Sequence, residues 1–559
     1  MAHLLFFLAA LSAGLTWAAL FIAAAARVRP GWRTRLLIAA GTVIPLVAWL
    51  PWLGITAVLA FGIAGPRLET NWFAQVATVA VATVIGSVWM AVGGLRSDQL
   101  TGEPVARAWP LGRLSLGFVA SKLAAACVLL ALEQQVVSQA QFLRIEVANL
   151  MENNLPPQVS DADNAAPLYL RAFAKLESDG DFKAVEQLLA DDEPGVLDHP
   201  LVTESLARHT ETLALLEQAA SRDVCRFTRD WTRPSLAMLL PEIQAMRRAA
   251  RLVALAARHD AASGEPAAAL AKVEILGAFA QHAASEPLLI TMLVGFALDA
   301  VADQTLADVL PALTAQEAEL LVTLTLPDIT LAMPRAFFGE EAFGLAMFAD
   351  VIAGRNEATS MLSDGDAGSA IGIAAGQNSP IGSLFRVFLI PADLAGYRGT
   401  MHEFQQLASR PEPSSRLRDA ASALNTKLQE SPPGILCTLM FPALSSVFDA
   451  GFRDQARNAC QEVLIAATRQ RLATGSLPES LDAIEPRWLP LPPTDPFTGT
   501  SLTDREPLRY RLNEQGLTVW SVGPNGKDDG GPAHRGPDTP RDHNNDDIGL
   551  TLPLTKDGN

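Results

Sequence analysis

Cysteine, tyrosine and charge are all scarce in this chain. Four cysteines among 559 residues are too few for a disulfide-built scaffold. Charged residues make up 18%, against roughly 25% in soluble domains, and the mean hydropathy is +0.20. Those values exclude a largely disordered chain and argue against a wholly soluble one. Acidic residues outnumber basic ones, 60 to 43, for a net charge of −17. A surface of that sign repels phosphate backbones, so no nucleic-acid partner is expected. No H-E-x-x-H, G-x-S-x-G, P-loop, G-x-G-x-x-G or C-x-x-C-H occurs, and the eight histidines are scattered. The sequence therefore assigns no catalytic residue and no small-molecule substrate.

What the chain does have is long uncharged runs near its start. Leu4–Ala26, Leu36–Ala64 and Trp72–Gly94 carry no charge, and Leu116–Leu132 carries only Lys122. A helix of about 20 residues crosses a hydrocarbon core of about 30 Å, so these runs predict about four transmembrane spans (4–26, 36–64, 72–94, 116–132). Residues 1–134 have a net charge of +5, leaving −22 for the rest, and hold seven of the ten tryptophans. Arg27, Arg29, Arg33 and Arg35 lie between the first two spans, and Arg96, Arg107 and Arg113 between the third and fourth. Basic loops stay cytoplasmic, which puts everything after a fourth span outside; with three spans it would be inside. The first span lacks a basic leader and is expected to stay uncleaved. No acid interrupts the spans, so they read as an anchor in the bilayer rather than a transport path.

Residues 135–163 read as a juxtamembrane stalk and linker, and 164–450 as a helical domain rich in Ala and Leu. Pro241–Ala262 sets Ile243, Met246, Ala250, Val253, Ala254 and Ala257 on one stripe at helical spacing. Gly264-Glu265-Pro266 then ends one helix and opens the next, over Ala267–Ala283. Glu286–Val309 predicts another apolar-striped helix, and Thr314-Ala315-Gln316-Glu317 a capping box. No repeat of fixed period accompanies these hairpins. An irregular helix-hairpin array presenting a surface to a partner and a compact helical domain both remain open. Ser363–Ser383, rich in Gly, Ser and Asp, reads as a long loop. Glu340-Glu341, following Phe337-Phe338-Gly339, is a carboxylate pair in an apolar helix and marks the alternative of an envelope hydrolase. Cys437 and Cys460 form a conceivable disulfide.

The last hundred residues are more specific. A helix over Phe452–Ala473 ends at Gly475 and is followed by Leu477-Pro478 and by Pro493-Thr494-Asp495-Pro496-Phe497-Thr498-Gly499. Two strands follow, Leu508–Leu512 and Leu517–Val522, joined by a turn over Asn513–Gly516. Trp520-Ser521-Val522-Gly523-Pro524-Asn525-Gly526-Lys527 and a final Asp546-Asp547-Ile548 complete the series.

In this order the motifs resemble the globular part of the major pseudopilin of type II secretion systems, over roughly residues 450–550. The resemblance implies a small α+β pilin-like module over 451–559. It also implies one calcium ion in the loop before the last strand, with Asn525, Asp528, Asp546, Asp547 and nearby carbonyls as ligands. Calcium takes six to eight oxygens, which suits two acidic runs that otherwise repel. A metal-free acidic loop remains open, as does another metal drawing on His534 or His543. The chain departs from the family at Asn525, where Asp is commoner, in the insertion Pro532–Asn544, and in starting with several spans instead of a pilin leader. The whole chain also resembles large uncharacterised bacterial membrane proteins of planctomycete type, which implies no activity. The expectation is thus a mainly α protein of the bacterial inner membrane. Its N-terminal transmembrane helix bundle anchors an extracytoplasmic helical domain and a pilin-like, calcium-binding end. Scaffolding or binding of an envelope protein partner is the leading function. A hydrolase site in the helical domain, or a type II secretion accessory, is the alternative.

Overall fold

The computed structural model describes residues 138–178, 182–190, 195–231, 242–324, 327–353, 390–409, 415–434, 437, 444–499, 502–532 and 546–554. The four expected spans and the 363–383 loop lie outside the described residues. Those described are mainly helical, with a small antiparallel sheet near the C-terminus.

They fall into two compact units. One contains residues 138–144, 347–353 and 390–394; the other contains the rest, within 145–346 and 395–559. In the first, Arg144 pairs with Asp350 beside buried Phe348, Val351, Ile352 and Ile390.

The second unit holds most of the remaining architecture; residues 138–144, 347–352 and 390–394 of the helices below belong to the first. Helix α1 covers residues 138–154. It is followed by α2 (Ala166–Ser178), α3 (Phe182–Ala190), α4 (Pro200–Arg208) and α5 (Thr210–Ala220). Next come α6 (Glu242–Ala262), α7 (Pro266–Ala284) and α8 (Leu289–Val309), at the expected hairpin and apolar helix. The predicted stripe of α6 proves too narrow: Leu252 through Ala257 are all buried, because α6 packs against α2, α7 and α8 together. Helices α7 and α8 approach closely at Gly295, where a Cβ would stand 2.8 Å from that of Ala284. Any larger side chain there would push the two helices apart.

Only half of the capping box forms: the Thr314 N–H donates to a Glu317 carboxylate oxygen at 2.8 Å, while the Thr314 hydroxyl accepts from the Gln316 N–H at 3.2 Å. It closes a turn ahead of the four-residue α9 (Leu320–Thr323) instead of opening a long helix. Helices α10 (Met333–Ile352), α11 (Ile390–Ala408), α12 (Ser415–Glu430) and α13 (Leu444–Thr474) complete the layer. Phe337 of α10, Phe404 of α11 and Phe448 of α13 stack in the interior, with ring centroids 5.3–6.2 Å apart. Cys225, Cys437 and Cys460 are buried thiols, so the conceivable Cys437–Cys460 disulfide is not formed.

The sheet has strands β1 (Arg509–Asn513), β2 (Gly516–Ser521) and β3 (Ile548–Pro553), with β2 central and buried throughout. Leu517 pairs with Leu552, and Val519 with Leu550. These side chains pack against Cys460, Val463, Leu464 and Ala467 of α13. The same core takes in Ala257 of α6, Val273 of α7 and Leu306 of α8. Each fully buried aliphatic side chain contributes about 1.5–3 kcal/mol, so helices and sheet are held by one apolar core. The sequence-based boundary at 450/451 falls inside α13.

Leu289–Ala312, by length and composition, is the one helical stretch among the described residues that meets the requirement for crossing a membrane. It is mostly buried in protein and carries Asp299, Asp303 and Asp308, which marks it as a core helix.

Candidate functional site: an acidic loop at the sheet end

The loop is built on Asp495 of the P-x-D-P-F motif. This fully buried carboxylate accepts from the Phe497 N–H at 2.9 Å, the Ser521 hydroxyl at 2.6 Å and the Val522 N–H at 2.8 Å. It thereby fixes the end of β2, from which the W-S-V-G-P-N-G-K turn departs. At Gly523, with φ +65°, the chain passes so close to Asp546 that a Cβ would lie 1.9 Å from its carbonyl oxygen. Only glycine combines that left-handed backbone with that contact. The close approach brings the two acidic runs, 525–529 and 546–547, side by side.

All four expected residues therefore meet in one loop. Asp547 Oδ2 accepts from the N–H groups of Asp529 (3.0 Å) and Gly531 (2.7 Å). Asp528 Oδ1 accepts from Trp520 Nε1 and the Gly530 N–H, both at 3.0 Å, while Arg509 Nε lies 3.5 Å from Oδ2. The Asn525 side-chain Oδ1 accepts from the Lys527 N–H at 2.8 Å. Arg453 of α13 stands 4.0 Å from Asp546. A fifth residue, Asp529, was not assigned from sequence. It accepts from Asn525 Nδ2 at 2.8 Å and from the Asp546 N–H at 3.1 Å, crossing between the runs. Its adjacency to Asp528 was the available signal.

Electrostatics differ within the loop. The Asn525 amide, and then the Asp546 N–H, hold the Asp529 carboxyl below its usual range. Burial raises that of Asp547, helped by the negative charges of Asp528 and Asp529. The donor set is oxygen throughout, of the kind calcium selects, and each carboxylate has about four lone-pair positions, not all used by these N–H groups. Among the described residues, no three His, Cys, Asp or Glu side chains already converge on one point as metal ligands do. His534 and His543 lie outside the described residues.

The two carboxylates of the hydrolase alternative have different surroundings. Glu341 accepts from Gln405 Nε2 at 2.7 Å, whereas the Glu340 carboxyl is pushed up to about 7 by burial. His209 is buried, and Glu211 reaches Lys175 at the surface, 3.0 Å away.

Two buried charge clusters escaped sequence reading. Arg229 bridges Glu242 and Glu286, with no side chain of the three more than 7% exposed. Asp299 and Asp303 of α8 meet Asp454 and Arg457 of α13. The i,i+4 spacing of Asp299 and Asp303 in an otherwise apolar helix was the signal for the second. No family model, curated protein or solved structure matches this chain.

Proposed function

We propose that this is a scaffold protein of the bacterial inner membrane. Its extracytoplasmic helical domain carries a pilin-like end, stabilised by calcium, that meets a protein partner of the envelope. The observation that carries this reading is the meeting of Asn525, Asp528, Asp529, Asp546 and Asp547 in one loop. Five polar side chains, four of them carboxylates, come together at the end of a sheet there, and a divalent cation relieves their repulsion. The loop is supported from behind by Asp495 and by α13, so a bound ion stiffens an already seated turn. In this role calcium is structural: Asp528, Asp546 and Asp547 supply carboxylate oxygens, and Asn525 an amide oxygen.

The test is thermal unfolding of the detergent-solubilised full chain in chelator and in millimolar calcium. Binding at 100 times Kd stabilises by about 2.7 kcal/mol, so Tm rises with calcium and the rise disappears in Asp547→Asn. An unchanged Tm in the wild-type chain removes the ion from this proposal. Reporter fusions after residue 150 and after residue 559 test the location, and cytoplasmic activity at both overturns it.

A further inference from the structure

Three carboxylates and one guanidinium share a dry space between α8 and α13. Asp299, Asp303 and Asp454 are each no more than 2% exposed. Arg457 Nε lies 3.5 Å from Asp303 Oδ2, and Arg457 Nη2 lies 3.2 Å from Asp454 Oδ1. One cation therefore faces three acids. The Oδ2 atoms of Asp299 and Asp454 receive no N–H or O–H from any other described residue. Asp299 lies one helical turn before Asp303 on α8, so three buried carboxyls crowd a single guanidinium. If all three ionised, two uncompensated negative charges would be buried, which is strongly unfavourable.

We propose that this cluster is a proton-dependent latch: a proton held among its carboxyls fixes α13 against α8, and its loss loosens the seat of the C-terminal sheet. The position of the cluster gives the latch its reach. Asp454 lies one turn beyond Gly451, which packs on Met333 and Phe296, and the same helix goes on to support β2 and β3. Other ionisable groups facing the cluster are Asp328, just before the turn at Ile329–Ala332, and Cys460 on α13. The negative charge of Asp328 adds to the pressure for protonation.

Burial holds Asp299 and Asp303 well above the ordinary carboxylate range, and Asp454 at about 8 with the further push of Asp299. The native state therefore binds more protons than the unfolded chain between the ordinary carboxylate value and about 8. The stabilisation is complete below that window, falls as pH rises through it and levels off above.

The experiment is Tm against pH for the detergent-solubilised full chain, comparing wild type with Asp454→Asn and Asp299→Asn. An amide is neutral at every pH and so removes the need for the held proton. The Tm of each variant relative to wild type should climb by at least about 3 °C between pH 5 and pH 8.5. Parallel profiles overturn the latch. Infrared spectra of the wild type provide a second readout should a variant fail to fold. A protonated carboxyl band at pH 7 that disappears by pH 9.5 supports the proposal, and its absence at pH 7 sinks it.

Discussion

Asp495 and Ser521, 26 residues apart, meet at 2.6 Å in the buried floor of the acidic loop. The contact joins the loop that precedes the sheet to the end of its central strand, and the Val522 N–H closes on the other carboxylate oxygen. Replacing Asp495 with Ala strands three buried donors. Hydrogen bonds to charged groups are worth about 1.5–3 kcal/mol each, and orphaned donors add to the loss. The expected destabilisation is about 3–5 kcal/mol, measured by chemical denaturation of the full chain. A loss within experimental error would show that the floor repacks without it.

Gly523→Ala tests the convergence of the two acidic runs. The left-handed backbone costs about 1–3 kcal/mol for a residue bearing a Cβ, and the contact with the Asp546 carbonyl forces a shift beyond that. The variant should melt lower and lose its response to calcium. Proteolytic cleavage between residues 523 and 546 should accelerate. Wild-type behaviour in all three would mean that the turn and the 546–547 segment are not locked together.

Phe448→Ala tests the aromatic stack in which Phe337 and Phe404 flank α13. Removing a buried aromatic ring costs about 3–5 kcal/mol. Leu491→Ser is the comparison, because Leu491 is 79% exposed and such a change should stay within about 0.5 kcal/mol. Equal effects from the two would contradict the packing described.

Local signals were readable from the sequence, and long-range pairings were not. The hairpin around Gly264-Glu265-Pro266 and the strands around 509–521 formed within a residue or two of expectation, because Gly, Pro and alternation act over a few residues. The four proposed ligands do meet in one loop, although the insertion Pro532–Asn544 separates their two runs, because the chain at Gly523 passes against Asp546. Strand β3 was invisible as a strand. Its six residues pair with β2 across an insertion, and nothing local specifies that register. The acids of α8 are hidden because an apolar stripe reads as core whatever polar residues it contains, and their cation, Arg457, comes about 150 residues later in the sequence.

The 31-residue α13 carries Phe448 near one end, in the stack with Phe337 and Phe404, and Leu464 and Ala467 toward the other, against the sheet. It is thus a shared beam rather than a hinge. A graft of the final hundred residues onto another protein would bare an oily flank along that beam, and clipping them away would uncover the matching faces of α6 through α8. The polypeptide is in this sense not a string of exchangeable cassettes: whatever grips its outer tip also pulls on its middle.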